Sequence, residues 1–154
     1  MSDSPLSRSP FAGTINFSDD TPVHPIDPDE LIRTLKAHEV YVETGQRSGQ
    51  RANLDATDLA GKSFAGMKLW HIRMQRADLA GADFTGANLR RAILIGATMK
   101  SGRITAADLT LGRLSGINLT DADCVGACLA EVDIEFAILA NSDFRDANFH
   151  DADM

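Results

Sequence analysis

Large apolar residues recur at every fifth position from Leu54 to Met154, without insertion or deletion. A five-residue period differs from the 3.6-residue period of an α-helix and from the two-residue alternation of a flat strand. A period kept over a hundred residues indicates a repeat architecture. The central positions are Leu54, Leu59, Phe64, Leu69, Met74, Leu79, Phe84, Leu89, Leu94, Met99, Ile104, Leu109, Leu114, Leu119, Cys124, Leu129, Ile134, Leu139, Phe144, Phe149 and Met154.

The residues around each central position predict how the chain bends. A small residue, mostly Ala, stands two positions earlier, and Asp or Asn usually lies between the two. Residues two apart in extended backbone share a face, so the small and the large residue point inward and the Asp or Asn points outward. The remaining two residues, often ending in Gly, turn a corner. The pattern therefore predicts a parallel coil with stacked Leu and Ala inside.

The number of sides per coil has one independent indication. Phe64, Phe84 and Phe144 fall in one register modulo twenty, with Ile104 and Cys124 between them. Four five-residue sides would stack these residues in one column. Coils of this kind gain stability from stacking on their neighbours and need their ends covered.

The run A(D/N)LxG, as in ADLAGADFTGANL at residues 77–89, resembles the pentapeptide repeat family. The resemblance implies an all-β solenoid: a right-handed quadrilateral parallel β-helix with four pentapeptides per coil. Residues 51–154 would form about five coils, roughly 25 Å tall at the usual strand spacing. The motif residues build the fold, so the resemblance predicts function poorly.

The segment before the repeats predicts a capping α-helix and linker over residues 27–50. Asp27 is a suitable N-cap, Pro28 suits the first turn, and Gly45 suits the end. Leu31, Leu35, His38 and Val42 share one helical face. The stretch from Leu31 to Leu54 resembles a leader that precedes many bacterial pentapeptide runs and assigns no activity.

Residues 1–26, rich in Ser, Pro, Asp and Thr, predict a flexible N-terminal tail. The apolar residues Phe11, Ile15 and Phe17 leave an alternative open. They would make this segment a docking element for the solenoid or for a partner.

Composition excludes several function classes. The chain has no apolar run long enough to span a membrane and no secretory signal, so a cytoplasmic protein is expected. A net charge of −7 disfavours direct binding to nucleic acid. Cys124 points inward and Cys128 outward, so the two thiols form no metal pair. We find no catalytic, cofactor-binding or metal-binding motif, and we expect a protein that is not an enzyme and needs no cofactor.

The charge is distributed unevenly along the chain. Residues 51–113 carry a net +5 and residues 114–154 a net −8, which makes a rod an electric dipole along its axis. Two groups of outward residues are candidates for partner binding on neighbouring sides: Ile93, Ile95 and Phe136, and Trp70, Arg90 and Arg91. A candidate acidic face comprises Asp121, Asp123, Glu131, Asp133, Glu135, Asp143 and Asp146.

These surfaces favour a protein–protein interaction scaffold whose partner is another protein of unknown identity. The alternative, implied by the family, is a DNA-mimic regulator or inhibitor of a type II topoisomerase such as gyrase. The cationic half opposes this alternative. Such inhibitors typically dimerise through a helix after the last coil, and the repeat pattern up to Met154 predicts no such helix.

Self-assembly is a third hypothesis. An uncapped C-terminal coil would offer unpaired backbone groups for a homodimer or a stack. Acidic ends repel each other, so such stacking should increase with ionic strength.

Overall fold

The structure, a computed structural model, describes residues 22–154. The cluster of Phe11, Ile15 and Phe17 therefore lies outside the described residues. The described chain forms one α-helix, α1 (Pro28–Glu43), followed by a coil that runs to the last residue.

The coil has four sides. Every backbone bridge within it joins a residue to the residue twenty positions later, from Asn53 with Arg73 to Asp133 with Asp153, and all bridges are parallel. Twenty residues per coil and a corner every five give four walls. We number the walls by their first-coil residues: wall 1 (52–56), wall 2 (57–61), wall 3 (62–66) and wall 4 (67–71). The first coil is 52–71, and later coils begin at 72, 92, 112 and 132.

Each wall pairs through a single residue per coil instead of an extended strand. On wall 1, the Leu54 N–H donates to the Arg73 carbonyl at 2.8 Å, and the Arg73 N–H donates to the Ala52 carbonyl at 3.2 Å. The next corner interrupts the pairing, because the chain changes direction after five residues. Each coil is nevertheless held to its neighbours on all four walls.

The corners explain why Asp and Asn occupy the outward position. The side-chain Oδ1 of Asp58 accepts a hydrogen bond from the Ala60 N–H at 3.1 Å, and Asp78, Asp108 and Asn118 make the same bond to the second residue after them. Such Asx turns satisfy a backbone donor that the corner would leave unpaired. The last residue of each corner has a positive φ, from 50° to 68°.

Several of these left-handed corners are not glycine. His71 has φ 64°, Arg91 has φ 55° and Phe136 has φ 58°. A left-handed conformation costs an L-residue roughly 1–2 kcal/mol, so the inter-coil hydrogen bonds must hold these corners in place. All remaining φ values at the corners of the coil lie in the same range.

The interior is a stack of apolar columns. The wall 3 column places the rings of Phe64 and Phe84 4.7 Å apart and nearly parallel, at 11°. Cys124 lies in the same column and is fully buried, and burial, with Asp123 and Asp143 nearby, raises the pKa of its thiol to about 12. The thiol is therefore an apolar filler of the column at neutral pH.

Helix α1 begins at the predicted N-cap and lies on the first coil. Oδ1 of Asp27 accepts from the Asp29 and Glu30 N–H groups at 2.9 and 3.1 Å. Leu31 belongs to the apolar core, and the fully buried His38 accepts the Ala52 N–H through Nδ1 at 3.1 Å.

The segment before α1 is docked rather than free. His24 bridges Thr57, donating its N–H to the Ala56 carbonyl at 2.7 Å and accepting the Asp58 N–H at 2.9 Å. Ile26 packs against the core. Within the segment predicted as a flexible tail, His24 therefore pairs with the backbone edge of wall 2 in the first coil.

Gly112 is expected to tolerate no side chain. An added Cβ would lie 2.8 Å from the Leu109 carbonyl oxygen and 2.8 Å from Leu114 Cδ1. We expect Gly112→Ala to lower the free energy of unfolding by about 1–3 kcal/mol through overpacking. Chemical denaturation measures the loss. Gly81→Ala separates packing from backbone strain, because nothing lies within 4 Å of its added Cβ and its loss should come only from the left-handed corner, roughly 1–2 kcal/mol. A larger loss for Gly81→Ala than for Gly112→Ala would contradict the packing argument.

Candidate partner-binding surfaces

The structure separates the predicted partner-binding residues onto two adjacent walls. Trp70, Arg90 and Arg91 lie on wall 4, in the first and second coils. Ile93, Ile95 and Phe136 lie on wall 1, in the third and fifth coils. The two groups are therefore two surfaces and not one.

The wall 4 residues line a groove beside the end of α1. The groove has a volume of about 420 Å³ and is lined by Val42, Trp70, Asn88, Arg90 and Arg91, and we call it the cationic groove. Val42 belongs to α1, so the helix supplies one side of the groove and the coil supplies the other. The sequence analysis placed Val42 on a helical face but did not connect it with Trp70.

The two arginines of the cationic groove differ in their surroundings. Nη1 of Arg90 lies 3.3 Å from Oδ2 of Asp108 in the next coil, which orients its guanidinium group. Arg91 is exposed and forms no ion pair within residues 22–154. Its guanidinium group is therefore not neutralised by a carboxylate within the described part of the chain.

Further positive charge surrounds the groove. Nε of Arg51 donates to the His71 carbonyl at 2.6 Å, and the His71 ring meets Trp70 edge-on at 4.6 Å between centroids. Burial lowers the pKa of His71, and Arg51 and Arg91 lower it further. The contributions of Arg51 and Arg91, although smaller than that of burial, place His71 in a cationic field, which would stabilise an anionic group.

On wall 1, side chains of apolar residues reach the surface. Phe136 is 77% exposed, whereas Ile93 and Ile95 are half-buried. Ile138, at the start of wall 2 beside Phe136, is 46% exposed. The sequence analysis missed Ile138, although an Ile in the outward position usually held by Asp or Asn was the available signal.

The predicted acidic face is not one face. Its seven residues occupy all four walls, because successive pentapeptides point a quarter-turn apart: Asp133 and Glu135 on wall 1, Asp121 on wall 2, Asp123, Asp143 and Asp146 on wall 3, and Glu131 on wall 4. Arg103 lies 4.0 Å from Asp123, and Arg145 lies 2.7 Å from Asp143. The acids form a partly neutralised ring around the last coils.

A second groove lies between α1 and the first coil. It also measures about 420 Å³ and is lined by Ile32, Leu35, Lys36, Glu39, Gly66, Met67, Lys68 and Leu69. Lys68 is held by Glu43 at 2.8 Å across the same junction. Its lining is mainly apolar, with charges of both signs, so it does not select one class of partner.

Other types of site are not found in the described part of the chain. Residues 22–154 contain no group of three His, Cys, Asp or Glu side chains arranged to hold a metal ion. Within that same range, no helix has the length and apolarity to cross a bilayer.

A family model of pentapeptide repeats matches the chain in eight copies, over residues 72–110, 103–135 and 127–154. The chain belongs to the pentapeptide repeat family. Proteins of this family fold as right-handed quadrilateral β-helices, in agreement with the twenty-residue coil. They are generally non-enzymatic structural or interaction scaffolds.

Several solved structures of pentapeptide repeat proteins are similar to this chain. A protein of the Arabidopsis thaliana thylakoid lumen is 28% identical, with a TM-score of 0.39, and the match covers 62% of this chain and 63% of that one. Rfr23 from the cyanobacterium Cyanothece 51142 is 23% identical, with a TM-score of 0.35 and coverage of 71% and 68%. QnrB1, a plasmid-mediated fluoroquinolone resistance protein, is 17% identical, with a TM-score of 0.37 and coverage of 70% and 68%. No curated protein matches the chain significantly.

Proposed function

We propose that the protein is a non-enzymatic scaffold that binds an acidic segment of another protein in the cationic groove. The observation that carries this proposal is the exposed Arg91, which has no ion pair within residues 22–154 and lies beside Trp70 in a concave site. Trp and Arg are the residues that most often dominate the energy of protein interfaces.

The side chains that line the cationic groove are suited to binding a partner. Its five lining side chains contain no hydroxyl, thiol, carboxyl or imidazole group. Trp70 and Val42 offer apolar contact, Asn88 offers hydrogen bonds, and the two guanidinium groups offer paired donors to carboxylates. A fitting partner segment carries one or more carboxylates next to an aliphatic or aromatic side chain.

The rod form suits this role. Inter-coil hydrogen bonds hold wall 4 in place at both ends of the groove, since the His71 N–H donates to the Arg90 carbonyl and the Arg91 N–H donates to the Thr110 carbonyl, each at 2.9 Å. A pre-ordered site loses little conformational entropy on binding, which favours affinity from a small contact area.

The alternative function, regulation of a type II topoisomerase by DNA mimicry, requires a continuous anionic face. The ring arrangement of the acids and the cationic walls of the first coils oppose it electrostatically. We therefore rank binding of an acidic partner above mimicry.

Changing the cationic groove should abolish partner capture. We expect Trp70→Ala and Arg91→Glu each to reduce the protein captured from a lysate of the native host at least about tenfold, the effect of losing one interface anchor. Quantitative mass spectrometry of the captured proteins measures the change. Arg113→Glu makes the same charge change on wall 1 and should leave capture unaltered.

The same experiment separates the two functions. A partner retained equally by both groove variants would contradict the proposed site. If the retained proteins were topoisomerase subunits, the mimicry hypothesis would replace the scaffold proposal, because Arg91→Glu makes the rod more anionic and should strengthen mimicry.

A further inference from the structure

The charge and polarity of the outward side chains on wall 1 change from coil to coil. The second coil presents Arg73 and Arg76, and the third presents Ile93 and Ile95. The fourth coil presents Arg113 and Ser115. The fifth presents the carboxylates of Asp133 and Glu135 together with Phe136, whose ring is 77% exposed. This order places an end with arginines and an end with carboxylates on either side of a centre in which Ile93 and Ile95 adjoin Arg113 and Ser115.

Arg73 is neutralised within the molecule, because its guanidinium group forms an ion pair with Asp55 of the first coil, whereas the corner charges of Arg76 and Glu135 are not. Arg76 and Glu135 are both exposed, and neither forms an ion pair within residues 22–154. They lie three coils apart, about 14 Å at the usual strand spacing, which exceeds a salt-bridge distance. Wall 3 differs, since Arg103 lies 3.9 Å from Asp83 and 4.0 Å from Asp123.

The corner residues of wall 1 leave its centre flat. Gly96 and Gly116 occupy the corners of the third and fourth coils, whereas Arg76 and Phe136 occupy those of the second and fifth. Gly96 is partly exposed and Gly116 is buried, so no corner side chain projects from wall 1 between Arg76 and Phe136. Phe136 adopts φ 58°, a backbone conformation that a glycine would adopt without cost.

We propose that wall 1 binds wall 1 of a second copy of this chain, with the two rods antiparallel. The two-fold axis lies in the interface, perpendicular to the rods, between the third and fourth coils. Each contact then occurs twice. Arg76 faces Phe136 of the second copy and reaches its Glu135, Arg113 faces Ile93, and the corner of Gly96 lies opposite that of Gly116.

Charge complementarity selects this occupant and this orientation. A parallel pair would set Arg76 against Arg76 and Glu135 against Glu135, which is repulsive. The antiparallel pair sets each cationic end on an anionic end and places a guanidinium group on an exposed aromatic face, a favourable cation–π arrangement. It leaves the cationic groove on wall 4, so this pairing does not depend on the proposed function.

Reciprocal charge reversal tests the pairing. We expect the full chain to sediment at twice its 16.6 kDa monomer mass at low salt and at concentrations up to about 1 mM, the weak end of the affinity scale. Arg76→Glu alone and Glu135→Arg alone should each weaken pairing at least about tenfold, because like charges then meet twice. An equimolar mixture of the two variants should pair again, since both contacts in the mixed dimer join opposite charges.

Two matched controls keep the test specific. Arg91→Glu and Glu131→Arg make the same charge changes at exposed corners of wall 4 and should pair like the unchanged chain. Phe136→Gly should fold normally, as judged by circular dichroism and thermal melting, and should lose pairing. It removes the exposed ring while keeping a corner that glycine adopts readily.

Three results would overturn the proposal: a monomer at every concentration and at low salt, single variants that pair as before, or failure of the mixture to pair. Raising the ionic strength should weaken antiparallel pairing, because it screens the attraction. If the measured mass instead increases with salt and is the same for the wall 1 variants as for the unchanged chain, the chains stack through the acidic last coil. Loss of pairing with unchanged partner capture would leave the scaffold function intact.

Discussion

Phe84→Ala is expected to lower the free energy of unfolding by about 3–5 kcal/mol, the usual cost of deleting a fully buried aromatic ring. Phe84 is fully buried and its ring stacks on Phe64 at 4.7 Å. The residue lies in the second coil, with further coils on both sides. Because each coil is stabilised by stacking on its neighbours, a void there weakens two inter-coil contacts at once. Denaturant unfolding followed by circular dichroism measures the loss.

Phe144 provides the matched comparison within the same column. It is half-buried in the fifth coil and its ring meets Phe149 at 5.3 Å in a tilted arrangement. Phe144→Ala should cost less, about 1–2 kcal/mol, since less apolar area leaves water there. Equal losses for the two variants would show that position along the rod does not determine the contribution of a ring. The argument from neighbour stacking would then fail.

The coil could be predicted from the sequence because the large and small residues of its interior recur at fixed spacing. Leu, Phe and Ala at fixed spacing have only one arrangement that buries them all, and the register of Phe64, Phe84 and Phe144 indicated four sides. The twenty-residue bridges agree with that indication. The pattern did not show the hydrogen bonds at the corners, in which the side chains of Asp58 and its equivalents accept the backbone N–H of the second residue after them. Asp and Asn form such hydrogen bonds in many turns, so their recurrence at the outward position was a sequence signal for these corners.

The position of α1 followed only partly from sequence. The N-cap at Asp27 and the helical face with Leu31 and His38 were visible as local patterns. The contact between His38 and the Ala52 N–H was not, because it joins residues whose distance depends on how the helix lies on the coil. The backbone pairing of His24 with Thr57 could not be predicted from the sequence for the same reason.

The candidate sites show a similar division. The outward residues of walls 1 and 4 were predicted from position in the repeat, and the structure places them on those two walls. The seven acids do not lie on one wall, since residues share a wall only when they belong to the same pentapeptide or to pentapeptides that are a multiple of twenty positions apart. Asp123 and Asp143 meet this condition, whereas Asp121 and Glu131 do not. Counting charge along the chain gave the dipole of the rod correctly but not its distribution around the axis.

Acidification below neutral pH is expected to destabilise the protein through His38. Burial lowers the pKa of this imidazole below its ordinary 6.5, and the nearby Arg51 lowers it further. As the pH falls through 6.5, the unfolded chain takes up a proton before the folded chain does, so the free energy of unfolding decreases. The decrease ends below the pKa of the folded state. Denaturant unfolding at a series of pH values from about 7.5 to 5 measures it.

His38→Gln distinguishes this cause from other titrations. A glutamine side chain offers an oxygen that accepts the Ala52 N–H but carries no titratable group. The variant should therefore retain the fold and lose most of the pH dependence in this window. A smaller dependence should remain, because burial, Arg51 and Arg91 also lower the pKa of His71. If the unchanged chain and His38→Gln lost stability equally on acidification, His38 would not be the group that links α1 to pH. A steeper loss in the unchanged chain would identify the helix–coil junction as the acid-sensitive part of the rod.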